Sequence, residues 1–175
     1  MKKFELTAES KINIFGKKLF RIKALISFGD VEEGETGGWI EKEENLEQSS
    51  GDAWVYGDAE VYGDARVYGN ARVYGDARVS GNAEVYGNAS VSGNAEVYGN
   101  ADYTTIHGFG TQFRTTTFFQ CEDKQIRVSC GCFLGTIPEF REQVKNTREG
   151  KIAEEYLMIA DLMEKHFVKE KESGE

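Results

Sequence analysis

Valine returns every sixth residue through the middle of the chain, at positions 55, 61, 67, 73, 79, 85, 91 and 97. Alanine stands two places ahead of each, from Ala53 to Ala95, and recurs at Ala101. The positions between are polar or aromatic, so residues 53–102 repeat A-x-V-[YS]-G-[ND] without a slip. In an extended segment Ala and Val, two apart, point to one side, while x and the Tyr or Ser point to the other. Gly followed by Asp or Asn tolerates positive φ, so the chain bends there. Four extended residues and a two-residue corner form one side of a coiled prism, with Ala and Val inside. Successive coils then stack as parallel ladders about 4.8 Å apart.

The outward charges choose the number of hexads per coil, because like charges stacked directly are unfavourable. Three hexads, 18 residues, put Glu60, Arg78 and Glu96 in one column and Arg66, Glu84 and Asp102 in another, each alternating in sign. Two hexads would stack Arg66 on Arg78, and four would stack Glu60 on Glu84. The predicted fold is mainly β: a triangular parallel β-helix of three hexapeptides per coil.

The unit V-[YS]-G-[ND]-A-x resembles the hexapeptide repeat of left-handed parallel β-helices, aliphatic at one position and small four later. That resemblance also implies three hexads per coil, and it alone implies the left hand. In the family a glycine directly follows the aliphatic residue, whereas here Tyr or Ser intervenes. Such helices host acyltransferases, anhydrases and inert scaffolds, so the fold by itself implies no activity.

The flanks read as caps, since an open coil end leaves unpaired backbone groups. Residues 1–50 form the first. Lys11 to Leu25 is expected as a hairpin, with Ile12 and Ile14 on one strand and Phe20, Ile22 and Ala24 sharing a face of the other. Phe28 to Ile40 reads as a degenerate coil, with Trp39 and Ile40 beneath the stack. Residues 51–104 are the helix, and 105–175 a small α+β cap. Its hairpin pairs Thr111 to Cys121 with Gln125 to Cys130 around Glu122 to Lys124. Thr136-Ile-Pro-Glu is a capping box with an early proline, opening a helix striped by Ile137, Phe140 and Val144. A second helix after Gly150 carries Ile152, Tyr156, Ile159, Met163 and Phe167 at helical spacing. These stripes suit packing on the hairpin or on a second copy of the chain. The tail, Lys169 to Glu175, is expected to fray.

The segments LFRIKAL…FGDVEEGETGGWIEKEENL and VSCGCFLGT, the latter followed by a helix with Phe140, resemble proteins of bacteriophages and prophages. The resemblance implies a phage accessory protein in the host cytoplasm that counters host defence. Charge narrows the partners. The chain has 21 Lys+Arg against 30 Asp+Glu, net −9, which disfavours direct binding to nucleic acid. No apolar run reaches membrane-spanning length, and MKKFELTAESK lacks the apolar core of a signal peptide. Three cysteines, an odd number, fit a reducing cytoplasm.

Candidate chemistry is sparse, and no cofactor is called for. A hexapeptide-repeat acyltransferase needs a histidine base, and His107, just past the last repeat, is the candidate; His166 reads as a solvated position. Cys121, Cys130 and Cys132 are candidate zinc ligands or buried structural thiols, with Cys130 and Cys132 sharing a strand face. The third side of the prism differs from its charge-laddered neighbours: it shows Trp54, Tyr56, Arg72, Tyr74, Ser90 and Ser92, with no acid. Arg72 would sit over Trp54 in a cation–π contact. Trp, Tyr and Arg are enriched where proteins bind. This side is expected to be a homo-oligomer interface, an ordinary surface, or a site for a nucleotide held by ring stacking and Arg72. The favoured function is a non-catalytic, oligomeric binding protein that occupies a host protein or sequesters a small anionic signal. The alternatives are an acyltransferase using His107 and a purely structural scaffold.

Overall fold

The computed structural model describes residues 2–168; the tail expected to fray lies outside them. Eight two-residue strands, β4 to β11, carry the repeat: Trp54–Val55, Glu60–Val61, Arg66–Val67, Arg72–Val73, Arg78–Val79, Glu84–Val85, Ser90–Val91 and Glu96–Val97. The first five pair in parallel with the strand 18 residues on, so Trp54 pairs with Arg72, and Arg72 with Ser90. Glu60 pairs with Arg78, Arg78 with Glu96, and Arg66 with Glu84. The chain is a parallel β-helix of three hexads per coil. Backbone bonds between coils link Trp54 N–H to the Ala71 carbonyl at 3.1 Å and Tyr56 N–H to that of Val73 at 2.8 Å. Every Ala from 53 to 95 and every repeat Val is at most 1% exposed. The Ala and Val side chains fill the prism at close packing.

The corners account for the glycines. Gly57 and Gly81 both have left-handed φ, +59° and +63°. A Cβ on Gly57 would meet open space, whereas one on Gly81 would strike the Tyr98 carbonyl of the next coil. Gly57→Ala is therefore expected to lower the unfolding free energy by about 1 kcal/mol, the cost of the conformation alone. Gly81→Ala should cost about 2 kcal/mol more, because backbone must move as well. Urea denaturation of the pair measures the difference, and equal losses would contradict the stacking.

The N-terminal cap extends one side of the prism. β1 (Phe4–Ile12), β2 (Lys18–Ala24) and β3 (Thr36–Ile40) form one sheet with β5, β8 and β11. The hairpin thus begins at Phe4, well before Lys11. Asn13 sets its turn, accepting on Oδ1 from the Phe15 and Lys17 amides, both at 3.0 Å. Ile12 and Ile14 consequently lie at the exposed tip, and Leu19 is buried where Phe20 is only half-covered. Ile40 pairs with Val61, and Leu46 bridges to Val67. Ile40, Leu46 and Val55 therefore make a bottom coil, irregular because Leu46 and Val55 are nine residues apart rather than six. Gln48 ties this coil to β1 through both backbone groups of Phe4, at 3.2 and 2.9 Å.

At the other end Asp102 does not continue the Arg66–Glu84 column. Its carboxylate accepts from the Tyr98 and Gly99 amides at 2.9 and 3.0 Å and closes a turn. Tyr103 takes the next Val position, is buried, and donates to the Glu84 carbonyl. The chain then leaves the helix as β12 (Tyr103–Phe109), which joins β13 (Arg114–Gln120), β14 (Ile126–Cys130) and β15 (Phe133–Thr136) in an antiparallel sheet. One face closes the prism with Phe119 and Cys121. The other carries Phe118 and Val128 under helices α1 (Ile137–Thr147) and α2 (Gly150–His166). The Thr136–Glu139 capping box is present. Ile137, Phe140, Val144, Tyr156, Ile159 and Met163 are buried within the chain, so the stripes pack on the sheet rather than on a second copy.

Candidate functional site

The third side, β4, β7 and β10, is not the bare surface its pattern suggests. Trp54 is fully buried. Phe4 and Phe28 of the cap meet its ring edge-on at 6.1 and 5.4 Å. It offers nothing to a partner, because the outward side of the first coil is the inward side of the cap. Arg72 does not stack on it. A tight turn from Phe28 to Val31 carries Asp30 across the face, and Arg72 Nη2 lies 3.0 Å from its carboxylate. The Tyr56 hydroxyl donates to the same carboxylate at 3.0 Å. Burial, then this hydrogen bond, raises the Tyr56 pKa. The side therefore has an acid, supplied from outside the repeat. Further up, the Tyr74 and Ser90 hydroxyls are 2.9 Å apart, the Ser90 amide donates to Thr117 of β13, and Ser92 is fully buried. Only Arg72, Tyr74 and Ser90 keep access to solvent along with half-buried Tyr56.

His107 on β12 comes to this same side. It lines a cleft of about 500 Å³ between the helix and the cap hairpin, together with Arg72, Ser90, Asp52, Asn70, Asn88, Phe113 and Arg114. Its Nδ1 is 3.2 Å from Thr115 Oγ1. Asn70 receives the Asp52 amide at 3.1 Å and donates to Asn88 at 3.3 Å, forming a polar ladder along one corner. Phe113, in the left-handed region at φ 49°, projects its ring from the hairpin tip and is 63% exposed. Arg72 and Arg78 each face a carboxylate. Arg114 makes no ion pair among the described residues, and its guanidinium stays available to the cleft.

Reading from sequence missed Phe113, Arg114 and the corner ladder. The ladder was visible, as Asp52, Asn70 and Asn88 are 18 residues apart. The hairpin tip was not, since no periodicity ties it to the repeat.

The cysteines are not brought together. Cys121 caps the prism core, and burial pushes its thiol up to about 11, so it stays protonated near neutral pH. Cys130 pairs across the sheet with Thr116, five residues back along the chain from Cys121. Cys132 sits exposed in the turn beyond Gly131 rather than on a shared strand face. Among the described residues no cluster of three His, Cys, Asp or Glu side chains is placed to hold a metal ion. His166 is exposed beside Phe167.

Eight hexads, a bottom coil and two caps define the class: a β-solenoid repeat protein. The family model described as YdcK Beta solenoid repeat matches the chain in overlapping windows, residues 59–75, 65–81, 71–87 and 77–93. No curated protein sequence matches it.

Proposed function

We propose that the chain is a non-catalytic binding protein whose cleft, between the Arg72 side of the helix and the β12–β13 hairpin, takes a small anionic ligand bearing a ring. A nucleotide is the class that fits. The observation that carries this is Arg114, a cation with no carboxylate partner among the described residues, beside the exposed ring of Phe113 in an acidic chain. Arg forks suit phosphate oxygens, and aromatic faces stack on bases. The corner amides of Asn70 and Asn88 line the floor. A binding role is favoured over acyl transfer by the setting of His107, whose side-chain partner is the Thr115 hydroxyl rather than a carboxylate that would orient a base. The likeness of the flanking segments to phage proteins suggests the setting, a host cytoplasm in which a nucleotide signal of defence is sequestered.

Calorimetric titration with linear and cyclic nucleotides tests the reading. Binding is expected in the parent protein, and Arg114→Ala and Phe113→Ala should each weaken it about 10-fold or more, the loss of one charged or stacked contact. Heats absent for every nucleotide, or unchanged in both variants, would remove this cleft from consideration.

A further inference from the structure

The opposite face of the cap sheet holds a second cavity, open to solvent on one side and bounded by the sheet, α1 and α2. Its volume is about 140 Å³, close to that of apolar cavities that admit a benzene ring. Phe133, Phe140, Val144 and Tyr156 wall it. Phe140 meets Tyr156 edge-on at 5.8 Å, and Phe133 lies tilted against it at 5.6 Å. Arg114 and Arg148 stand on its lining. Arg72, Arg78, Arg127 and Arg141 each reach a carboxylate, but these two do not among the described residues. Arg148 caps α1 and is oriented by its own Nη1 donating to the Thr147 carbonyl at 2.9 Å.

Both cations line the cavity with Tyr156. Burial raises the pKa of the Tyr156 hydroxyl, and the charges of Arg148 and Arg114 oppose that shift. That hydroxyl donates to the Phe109 carbonyl at 3.2 Å. Two left-handed glycines make room for the arrangement. A Cβ on Gly110 would run into the Tyr156 hydroxyl, and one on Gly131 into the Arg114 guanidinium. An aromatic wall of ring size beside two guanidinium groups that have no carboxylate partner among the described residues is the chemistry of carboxylate capture.

We propose that this cavity binds a small monocarboxylate with a single ring, the ring against Phe133, Phe140 and Tyr156 and the carboxylate between Arg114 and Arg148. Arg114 lines both this cavity and the cleft on the other face, whereas Arg148 lines this cavity and not the cleft, so Arg148 variants tell the two sites apart.

Benzoate is the probe, with acetate and benzylamine as controls, titrated into the full chain and followed by methyl NMR of Val144. Saturable shifts at Val144 are expected with benzoate, at least 10-fold weaker binding in Arg148→Ala, partial retention in Arg148→Lys, and no saturation with benzylamine. Arg148 is exposed, so the variants should keep the parent's thermal midpoint. Benzoate that fails to saturate, that binds Arg148→Ala as well as the parent, that is matched by acetate, or that shifts Ala89 in place of Val144 would overturn the assignment.

Discussion

Trp54→Ala is expected to lower the unfolding free energy by about 4 kcal/mol and to free the N-terminal hairpin before the helix unwinds. The ring is fully buried and is held edge-on by Phe4 and Phe28. It also fills the space against Gly37, where a Cβ would lie 2.6 Å from it. Its loss leaves a cavity that neither β-structure can collapse to fill. Trp54→Phe separates packing from polarity. The indole N–H has no hydrogen-bond partner among the described residues, so removing it abandons nothing, and the phenylalanine variant should lose only about 1–2 kcal/mol. Urea denaturation gives the totals, and amide exchange in β1 and β2 against β5 and β8 gives the order of release. The same experiment discriminates against a homo-oligomer interface centred on Trp54. An interface residue would change the mass in light scattering and leave dilute-protein stability alone; a cap residue does the reverse.

The helix was legible because its signal is local and repeated. Each Val sits in the same environment as the Val six residues away, and the charge columns need only a count of 18. The capping box at Thr136 was legible for a similar reason: donor and acceptor are three residues apart. The caps were less so. Sorting residues into inward and outward says which way Trp54 points, but not what lies over it. The cover is Phe4, 50 positions earlier, and Phe28, 26 earlier. Asp30 reached Arg72 by the same long route. Ile40 and Leu46 were six residues apart in plain sight, but the nine-residue step to Val55 broke the count. β12 and β15, which complete the sheet and border the cavity beneath the helices, have weak alternation and no turn dipeptide to announce them. Arg114 belongs to the candidate cleft only because the hairpin folds back along the helix, and no pattern within the repeat encodes that.

Arg78→Met is expected to cost about 3 kcal/mol, the cost of stranding one member of a buried ion pair. Arg78 is paired in register between Glu60 and Glu96. Its Nη2 lies 2.8 Å from Glu96 and 3.4 Å from Glu122, and the Arg78 and Glu96 side chains are 17% and 8% exposed. The two acids of the column depend on it unequally. Glu60 has its own partners, Lys11 at 2.9 Å and Asn13 at 3.2 Å. Glu96 otherwise has Lys124 at 3.4 Å, a side chain that is 68% exposed and cheaply lost to water. Methionine preserves the apolar stem, so the measured loss reports charge rather than volume. Arg78→Met/Glu96→Leu should then recover most of the stability, because removing both partners leaves no stranded charge, whereas Arg78→Met/Glu60→Gln should recover little. Urea denaturation of the cycle measures the coupling. A loss below about 1 kcal/mol in the single variant, or strict additivity with Glu96→Leu, would mean that the column is not held by this pair. Coils would then owe their register to the Ala–Val interior and the backbone ladders alone, and the alternating charges on the other columns would be ornament to folding rather than its guide.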